Sequence, residues 1–425
     1  MIVFLFKGIL RDRARSVFPL LTVAAGVFLT VGIFCYLKGG VFVITRTSAN
    51  LDTGHVKVTT RAYAEEKGLP ANDAALTGAA RLLSRLASEF PALDWAPRIR
   101  FGGLLDVPDE NGETKAQGAA GGFAADLLSP GSGEVARLDL ARGLVAGRLP
   151  ERPDEILVGQ VLAERLGLKP GGRATLISST MHGSAAMANF EVAGVVSFGV
   201  RAMDRTGLLA DLQGIQAALD MEDAAGEVLG FFKDNLFEND KAEAVAAAFK
   251  SKVATPPADD FAPVLLTLRD QNILGQYLDY MDAAQAVIIA IFVLPMSLVL
   301  WNAGLLGNLR RYGEIGVRLA MGETKGHIYR SLLAESAMIG LLGTALGTAL
   351  GLALSFYLQA HGFNIGAFLK NASILIPNTI YARVTPLSYV IGLAPGLAAT
   401  FIGAAFAGRG IYKRQTAQLF KELET

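Results

Sequence analysis

The residues with the strongest claim to chemistry in this chain are few and scattered. There are four histidines, His55, His182, His327 and His361, and a single cysteine, Cys35, which lies inside an apolar run. A metal site needs imidazoles, thiolates or carboxylates at short, ordered spacings, and no pair of these histidines has them. With the one thiol inside an apolar stretch there is no Cys–His pair, and no G-x-S-x-G elbow occurs. The G-x-x-x-x-G-K-[ST] loop that cradles a nucleotide's phosphates is also missing. Acidic pairs such as Glu65-Glu66 and Asp259-Asp260 read as solvated faces. The sequence therefore predicts a non-catalytic chain, with no metal, no cofactor of its own and no nucleic-acid partner. One cysteine also forbids an intrachain disulfide and leaves the redox compartment open.

A different kind of chemistry is written into "RRYGEIGVRLAMGETKGHIYR", residues 310–330. Glu314 and Arg318 stand i, i+4 in the order that favours an ion pair on a helix, and Ile315 and Leu319 share an adjoining face at the same spacing. Gly322 supplies a residue free to take the left-handed conformation that ends helices. Thr324 is placed to cap a second helix, rising through Ile328 and Leu332. A short amphipathic helix, a glycine break and a new helical start make a docking element for a partner.

The surroundings of this stretch are apolar. Of 425 residues 52% are hydrophobic, more than a soluble chain of this length easily hides, which predicts a membrane protein. Four runs reach the roughly 20 residues needed to span about 30 Å of hydrocarbon: residues 17–37, 283–306 (with Pro295, Trp301 and Asn302 inside), 331–358, and 387–407 opened by Pro386. The first is too long for a secretory signal, and no A-x-A site follows it. The formal charge of zero hides a division. Residues 46–281 carry 23 Lys+Arg against 32 Asp+Glu, and the remainder 16 against 7. That predicts one acidic α/β (α+β) domain, large enough for its own core, inserted between the first and second of four transmembrane helices.

Basic residues set orientation. Lys7, Arg11, Arg13 and Arg15 precede the first span; Arg310, Arg311, Arg318, Lys325 and Arg330 lie between the second and third; Arg409, Lys413, Arg414 and Lys421 follow the fourth. The opposite side has only Lys38, Lys370 and Arg383. Both termini and the 310–330 stretch are therefore expected in the cytoplasm and the acidic domain outside. The expected organisation is an interfacial helix at 1–16, a first span at 17–40, an outer core domain at 41–266, a stalk and second span at 267–308, a coupling loop at 309–330, a third span at 331–359, an outer loop at 360–385, a fourth span at 386–408 and a cytoplasmic tail at 409–425.

Within the spans, Gly343, Gly347 and Gly351 recur every four residues, making a groove for close helix approach. Either a neighbouring helix of the same chain or a second subunit could fill it. No span carries the charge row of an ion pathway. Val27, Phe34, Val287 and Phe292 lie on apolar stretches near the outer leaflet and are the expected lipid contacts. In the outer domain, "GHVKVTT" alternates as a half-buried strand, and "LTGAARLLSRLASEF" sets Leu76, Leu83, Leu86 and Phe90 on one helical face. "DEILVGQVLAERLGLKPGGRATLIS" reads strand, helix ended at Gly167, turn, strand. "FEVAGVVSFG" is another strand, and "ADLQGIQAALD" a helix capped by Asp211. "QNILGQYLDYMDAAQ" runs without a breaker into the second span, as a stalk would.

"GEIGVRLAMGETKGHIYRSLLAES" followed by "GLLGTALGTALG" resembles the signature of FtsX/MacB-type ABC transporter permeases. "LDTGHVKVTT" and "GRLPERPDEILVGQVLAERLGLKPGGRATLI" resemble the family's periplasmic core domain, as found in lipoprotein-releasing (LolC/LolE-type) permeases. The resemblance implies that Glu314, Gly316, Arg318, Ala320 and Gly322 form the helix that couples to an ATPase, with Glu335 on a further family position. It implies a bacterial inner-membrane subunit that works by mechanotransmission, in a homodimer or with a sister permease. ATP is then bound by a separate dimeric ABC ATPase, since no ATPase precedes the first span as it does in MacB. The implied cargo is lipoprotein or another amphiphile released from the outer leaflet. An FtsX-like transmitter acting on an envelope hydrolase or a sensor partner is the alternative.

Overall fold

A long apolar run forms a helix in a membrane because only there does every backbone hydrogen bond close within the segment. Four such elements are present in the computed structural model, which describes residues 13–66, 72–253, 259–271, 274–310, 317–365 and 377–413. They are α1 (Arg13–Ser48), α2 (Leu274–Arg310), α3 (Lys325–His361) and α4 (Leu393–Lys413), and each is long and apolar enough to cross a membrane. The chain divides into a helical unit, Met1–Phe42 with Leu278–Phe363 and Ile380–Thr425, and an α/β unit, Val43–Tyr277 with Asn364–Thr379. The architecture expected from the sequence, four apolar helices with an α/β domain between the first and second, is the one found.

In the helical unit the glycines of α3 receive valines of α1. A Cβ at Gly343 would stand 2.8 Å from Val23 Cβ, one at Gly347 would strike the Ala24 carbonyl and lie 2.8 Å from Val27 Cβ, and one at Gly351 would lie 2.9 Å from Val31 Cβ. The contacts advance in the same direction along both helices, so α1 and α3 run parallel. Gly392 of the segment leading into α4 meets Thr348 of α3, Gly396 of α4 meets Thr344, and Gly340 meets Thr400. That order makes α3 and α4 antiparallel. Both directions are those of a chain that crosses a bilayer alternately. The glycine groove is thus filled from within the chain, as one of the two sequence readings had it.

This packing corrects two expected lipid contacts. Val27 is fully buried and Phe34 is 4% exposed, because each sits in the core that α1 forms with Met296, Leu300 and Ala399. Phe292 is partly buried against the same core. Val287 is exposed, as are Ile291, Leu294 and Leu298 at helical spacing on α2. Two buried hydroxyls bond back to their own helices, Thr30 Oγ1 to Gly26 O at 2.8 Å and Ser355 Oγ to Gly351 O at 2.7 Å, which satisfies them without water, whereas Thr344 Oγ1 of α3 is buried with no partner among the described residues.

Boundaries moved where the sequence offered no breaker. The first helix was expected to end at residue 40, yet α1 continues to Ser48 and then widens into a π-helical turn, Ala49–Thr53. Gly39 and Gly40 do not end it, and Gly39 is where the backbone of Tyr381 and Ala382 presses against the helix. The fourth span opens with a 3₁₀ turn, Pro386–Tyr389, under a Thr385–Ser388 capping box, before α4. The interfacial helix expected at 1–16 lies outside the described residues up to residue 12.

The α/β unit is built on a large mixed sheet. Its strands are β1 (Val56–Thr60), β2 (Leu93–Pro108), β3 (Thr114–Ala125), β4 (Leu144–Gly147), β5 (Glu155–Gly159), β6 (Arg173–Ser179), β7 (Ala185–Val196), β8 (Gly207–Asp211), β9 (Glu227–Phe232) and β10 (Pro263–Thr267). Their spatial order is β10-β1-β9-β2-β3-β8-β5-β7-β4, with β6 bridging β2 and β7. Pairing is antiparallel except for β3 with β8 and β5 with β7. Ile99, Phe101 and Leu105 of β2 sit at alternate positions in a core shared with Leu162, Phe190 and Ile215. A second core gathers Leu86 and Phe90 at the end of the helix Ala79–Glu89 with Val56, Val58 and Phe249. Leu83 packs on its edge, while Leu76 belongs to a two-residue strand. The helix Gln160–Leu166 ends at Gly167 with φ of +67°, and Asp211 accepts the Gln213 N–H at 3.0 Å as an N-cap.

Candidate functional site: a helix-ending turn and a charged clamp

The turn at residues 317–330 is closed by backbone chemistry. Residues 317–320 are helical. The Glu323 N–H then bonds Arg318 O at 3.0 Å, and the Gly322 N–H bonds Leu319 O at 3.1 Å, with Gly322 at φ of +94°. This pair of bonds, six-to-one outside five-to-two, is a Schellman ending, and it requires a residue that tolerates positive φ. Among the described residues no atom would meet a Cβ at Gly322, and the strain of its positive φ is what favours glycine here. Thr324 then caps α3 by accepting the His327 N–H at 3.3 Å.

Arg318 forks onto Glu323, with Nε to Oε2 at 2.6 Å and Nη2 to Oε1 at 2.7 Å. Glu314, its expected partner, lies outside the described residues, as do Gly316 and Ile315. The turn folds the chain so that, among the described residues, Arg318 meets the residue five ahead. Arg318 holds the Glu323 carboxyl below its ordinary range. Ala320 is exposed, and Met321 stands 76% exposed at the tip. Leu319 packs with Leu332 on the buried Ile328 at the foot of α3. Glu335, on the same helix, is half-buried.

A second constellation, in the α/β unit, was not anticipated. Arg98 and Arg100 alternate with Ile99 and Phe101 on β2, so both guanidiniums leave the sheet on the face away from the main core. Arg98 is fully buried and donates to Glu134 Oε2 from Nε at 3.0 Å and Nη2 at 2.7 Å. Its Cζ lies 4.7 Å from the Phe123 ring centre. Arg137 also bonds Glu134 and stacks at 4.0 Å on Phe231. Arg100 donates to Glu227 Oε1 at 2.9 Å, to Asp52 O at 3.1 Å and to the Asp52 carboxylate. Lys57 Nζ reaches Glu227 Oε2 at 2.6 Å. Burial pushes the Glu227 carboxyl up, but Arg100 and Lys57, with Arg98 behind them, outweigh it and hold the group below the usual carboxylate range. Removing one partner of such a set strands a buried charge, at a cost of about 3–5 kcal/mol.

These bonds converge on the π-helical turn that ends α1. Asn50 Nδ2 donates to Arg137 O at 2.9 Å, Asp52 receives Arg100, and Thr53 O accepts from Gln271 Nε2 at 3.2 Å. Gln271 also donates to Thr267 O at 3.1 Å and is 7% exposed, three residues before α2 begins. The two passages of chain that enter this unit are therefore tied to each other and to its charged core. His55 lies beside them as a core residue, not a ligand. Its Nδ1 accepts the Phe232 N–H at 3.0 Å and its ring stacks on Phe232. Among the described residues no cluster could hold a metal. The arginine pair could have been noticed in "PRIRF", where two charges share one face of an otherwise apolar strand. Gln271 left no signal.

Residues 286–416 match the family model for the FtsX-like permease C-terminal domain. The periplasmic region of MacB from Actinobacillus actinomycetemcomitans aligns at 12% identity and a TM-score of 0.35, covering 55% of this chain and 95% of that one. The extracellular domain of the noncanonic ABC-type transporter YknZ from Gram-positive bacteria aligns at 12% identity and a TM-score of 0.33, covering 50% and 99%. No curated protein matches the chain.

Proposed function

Taking the chain as an FtsX-type permease, the family that its residues 286–416 match, we propose that it is the membrane-spanning, non-catalytic subunit of an ABC system that works by mechanotransmission. An ATPase on another polypeptide binds the ATP and docks against the 309–330 turn. The stroke reaches the α/β unit along α1 and α2, with no substrate passing between the helices. The family match carries this reading, because it spans the last three membrane helices and the turn together. The glycine-packed bundle, in which α1 and α4 close on α3 at Gly343, Gly347, Gly351 and Gly396, supports transmission over permeation. A second permease copy or a sister subunit completes the assembly in a bacterial inner membrane, with both termini and the turn in the cytoplasm.

The cargo proposed is lipoprotein or another amphiphile of the outer leaflet, met on the exposed face of α2 that includes Val287. Co-purification tests the coupling. The wild-type chain should retain an ATPase of the ABC type, and depletion should leave lipoproteins in the inner membrane. Recovery of a soluble hydrolase instead, with lipoprotein sorting intact, would establish the signalling alternative. With Cys35 replaced by alanine, Met187→Cys should react with a membrane-impermeant thiol reagent in cells whose outer membrane is permeabilised, and Met321→Cys should not. The reverse labelling would overturn the topology.

A further inference from the structure

We propose that Arg383 is a docking point for the phosphate of an outer-leaflet phospholipid, a reading that rests on the membrane topology given above. Basic residues are scarce on the outer side, so one held in a fixed place there needs a reason. The Arg383 backbone N–H bonds Cys35 O at 2.9 Å, and its Cζ lies 3.8 Å from the ring centre of Phe42, two turns further along α1. Between those points the backbone of Tyr381 and Ala382 rests on Gly39, where a side chain would collide. On the other side the Val384 N–H bonds Gln359 Oε1 of α3 at 3.0 Å. The guanidinium is thus mounted between two helices and laid on an aromatic face, half-buried.

Among the described residues no acceptor or carboxylate lies against the Arg383 side chain. A guanidinium stacked through its face still presents N–H groups at its edge, the fork that suits a phosphate's two oxygens. The depth is right for a headgroup. The fourth span runs Pro386–Gly408, 23 residues, close to the roughly 20 that cross the hydrocarbon, so Arg383 lies three residues beyond its outer end. Tyr381 and Tyr389 are 37% and 54% exposed nearby in sequence, as interfacial tyrosines are. Lys38, whose Nζ is 6.0 Å from the Phe34 ring centre, adds a second positive charge to the same end of α1.

The test is native mass spectrometry of the full chain purified in detergent and titrated with phosphatidylglycerol, dioleoylglycerol or inorganic phosphate. The wild type should retain phosphatidylglycerol in preference to dioleoylglycerol. Arg383→Gln should lower that retention roughly tenfold, as removal of one charge-assisted hydrogen bond does, and Arg383→Lys should fall between. Equal retention of the two lipids, or undiminished retention in Arg383→Gln, would overturn the proposal. So would phosphate binding as well as the lipid does, which would make this a site for a free anion. If Arg383→Gln is recovered unfolded, the lysine variant decides alone, because it keeps the charge and removes the two-pronged geometry. ATPase association, measured on the same preparations, should be unchanged. A failed lipid titration with the ATPase still bound leaves the permease assignment standing, and loss of the ATPase from the wild type removes that assignment instead.

Discussion

Arg318 and Glu323 face each other across the Gly322 turn as a two-pronged ion pair, at the two positions of a Schellman ending where an apolar contact is usual. The pair is partly exposed, at 39% and 23%, so its own contribution to folding is about 0.2–1 kcal/mol. Its consequence is direction: it fixes how the helix at residues 317–320 leaves α3. Arg318→Glu should therefore leave the chain inserted and monodisperse yet weaken ATPase binding, by about 2–5 kcal/mol if that charge is buried in the partner's cleft. The exchange Arg318→Glu with Glu323→Arg separates two roles. Rescue of binding means the pair acts by aiming the turn, and no rescue means Arg318 touches the ATPase. Full binding in the single variant would remove the turn from the interface.

Gly347 is a position where a side chain has nowhere to go, since the Ala24 carbonyl and Val27 occupy its Cβ direction. Gly347→Val must push α1 from α3, and overpacking of this kind costs about 1–3 kcal/mol. The melting temperature of the detergent-solubilised chain should drop clearly. Leu346→Ala, one residue away but 42% exposed, should melt close to the wild type. Equal melting of all three would mean that α1 does not seat in this groove.

The sequence was legible where one periodicity governs. Apolar runs of span length have one solution in a membrane, and alternating phrases such as "GHVKVTT" have one solution in a sheet, so helix count and strand positions followed. The glycine spacing announced a close contact without saying with what, because a groove is a property of one helix and its occupant a property of two. Val27 and Phe34 were misassigned for the same reason: an all-apolar helix gives no sign of which face turns inward. The clamp around Asp52, Arg100, Glu227 and Gln271 joins residues more than 200 positions apart, and no local pattern records such a meeting.

His55 ties the stability of the α/β unit to pH. Burial pushes its imidazole down to about 4, a shift that Asp234 opposes and Arg137 reinforces. The folded value is below the ordinary one of 6.5, so the unfolded chain binds the proton first. Stability is complete above about 6.5 and falls as the pH drops toward 4, by on the order of 3 kcal/mol for a shift of this size. Protonated Nδ1 cannot accept the Phe232 N–H, so β9 should loosen. Hydrogen exchange, corrected for its intrinsic pH dependence, should show faster opening of residues 228–232 at pH 5 than at pH 7 in the wild type. His55→Asn, which keeps an acceptor and cannot titrate, should abolish that difference. A difference that persists would place the pH dependence in other groups.

Gln271 offers the cleanest test of whether the two passages into the α/β unit move as one. Its Nε2 joins Thr53 O, at the end of the π-helical turn, to Thr267 O, just before the chain turns into α2. Methionine has nearly the same length and no donor, so Gln271→Met keeps the packing and takes from Thr53 O its side-chain donor, at about 1–3 kcal/mol, while Thr267 O keeps the Asp270 N–H. Arg100→Met should do greater damage, because it strips Glu227 and Asp52 of the same cation, and the unit should melt at a visibly lower temperature. The informative variant is the milder one. If the stroke travels through this junction, Gln271→Met should bind its ATPase and hydrolyse ATP normally while cargo release falls severalfold. The melting point of the α/β unit should change by only a few degrees. Release that keeps pace with hydrolysis in Gln271→Met would show that the junction is held well enough by Arg100 and Asn50 alone, and that Gln271 is part of the fold and not of the transmission.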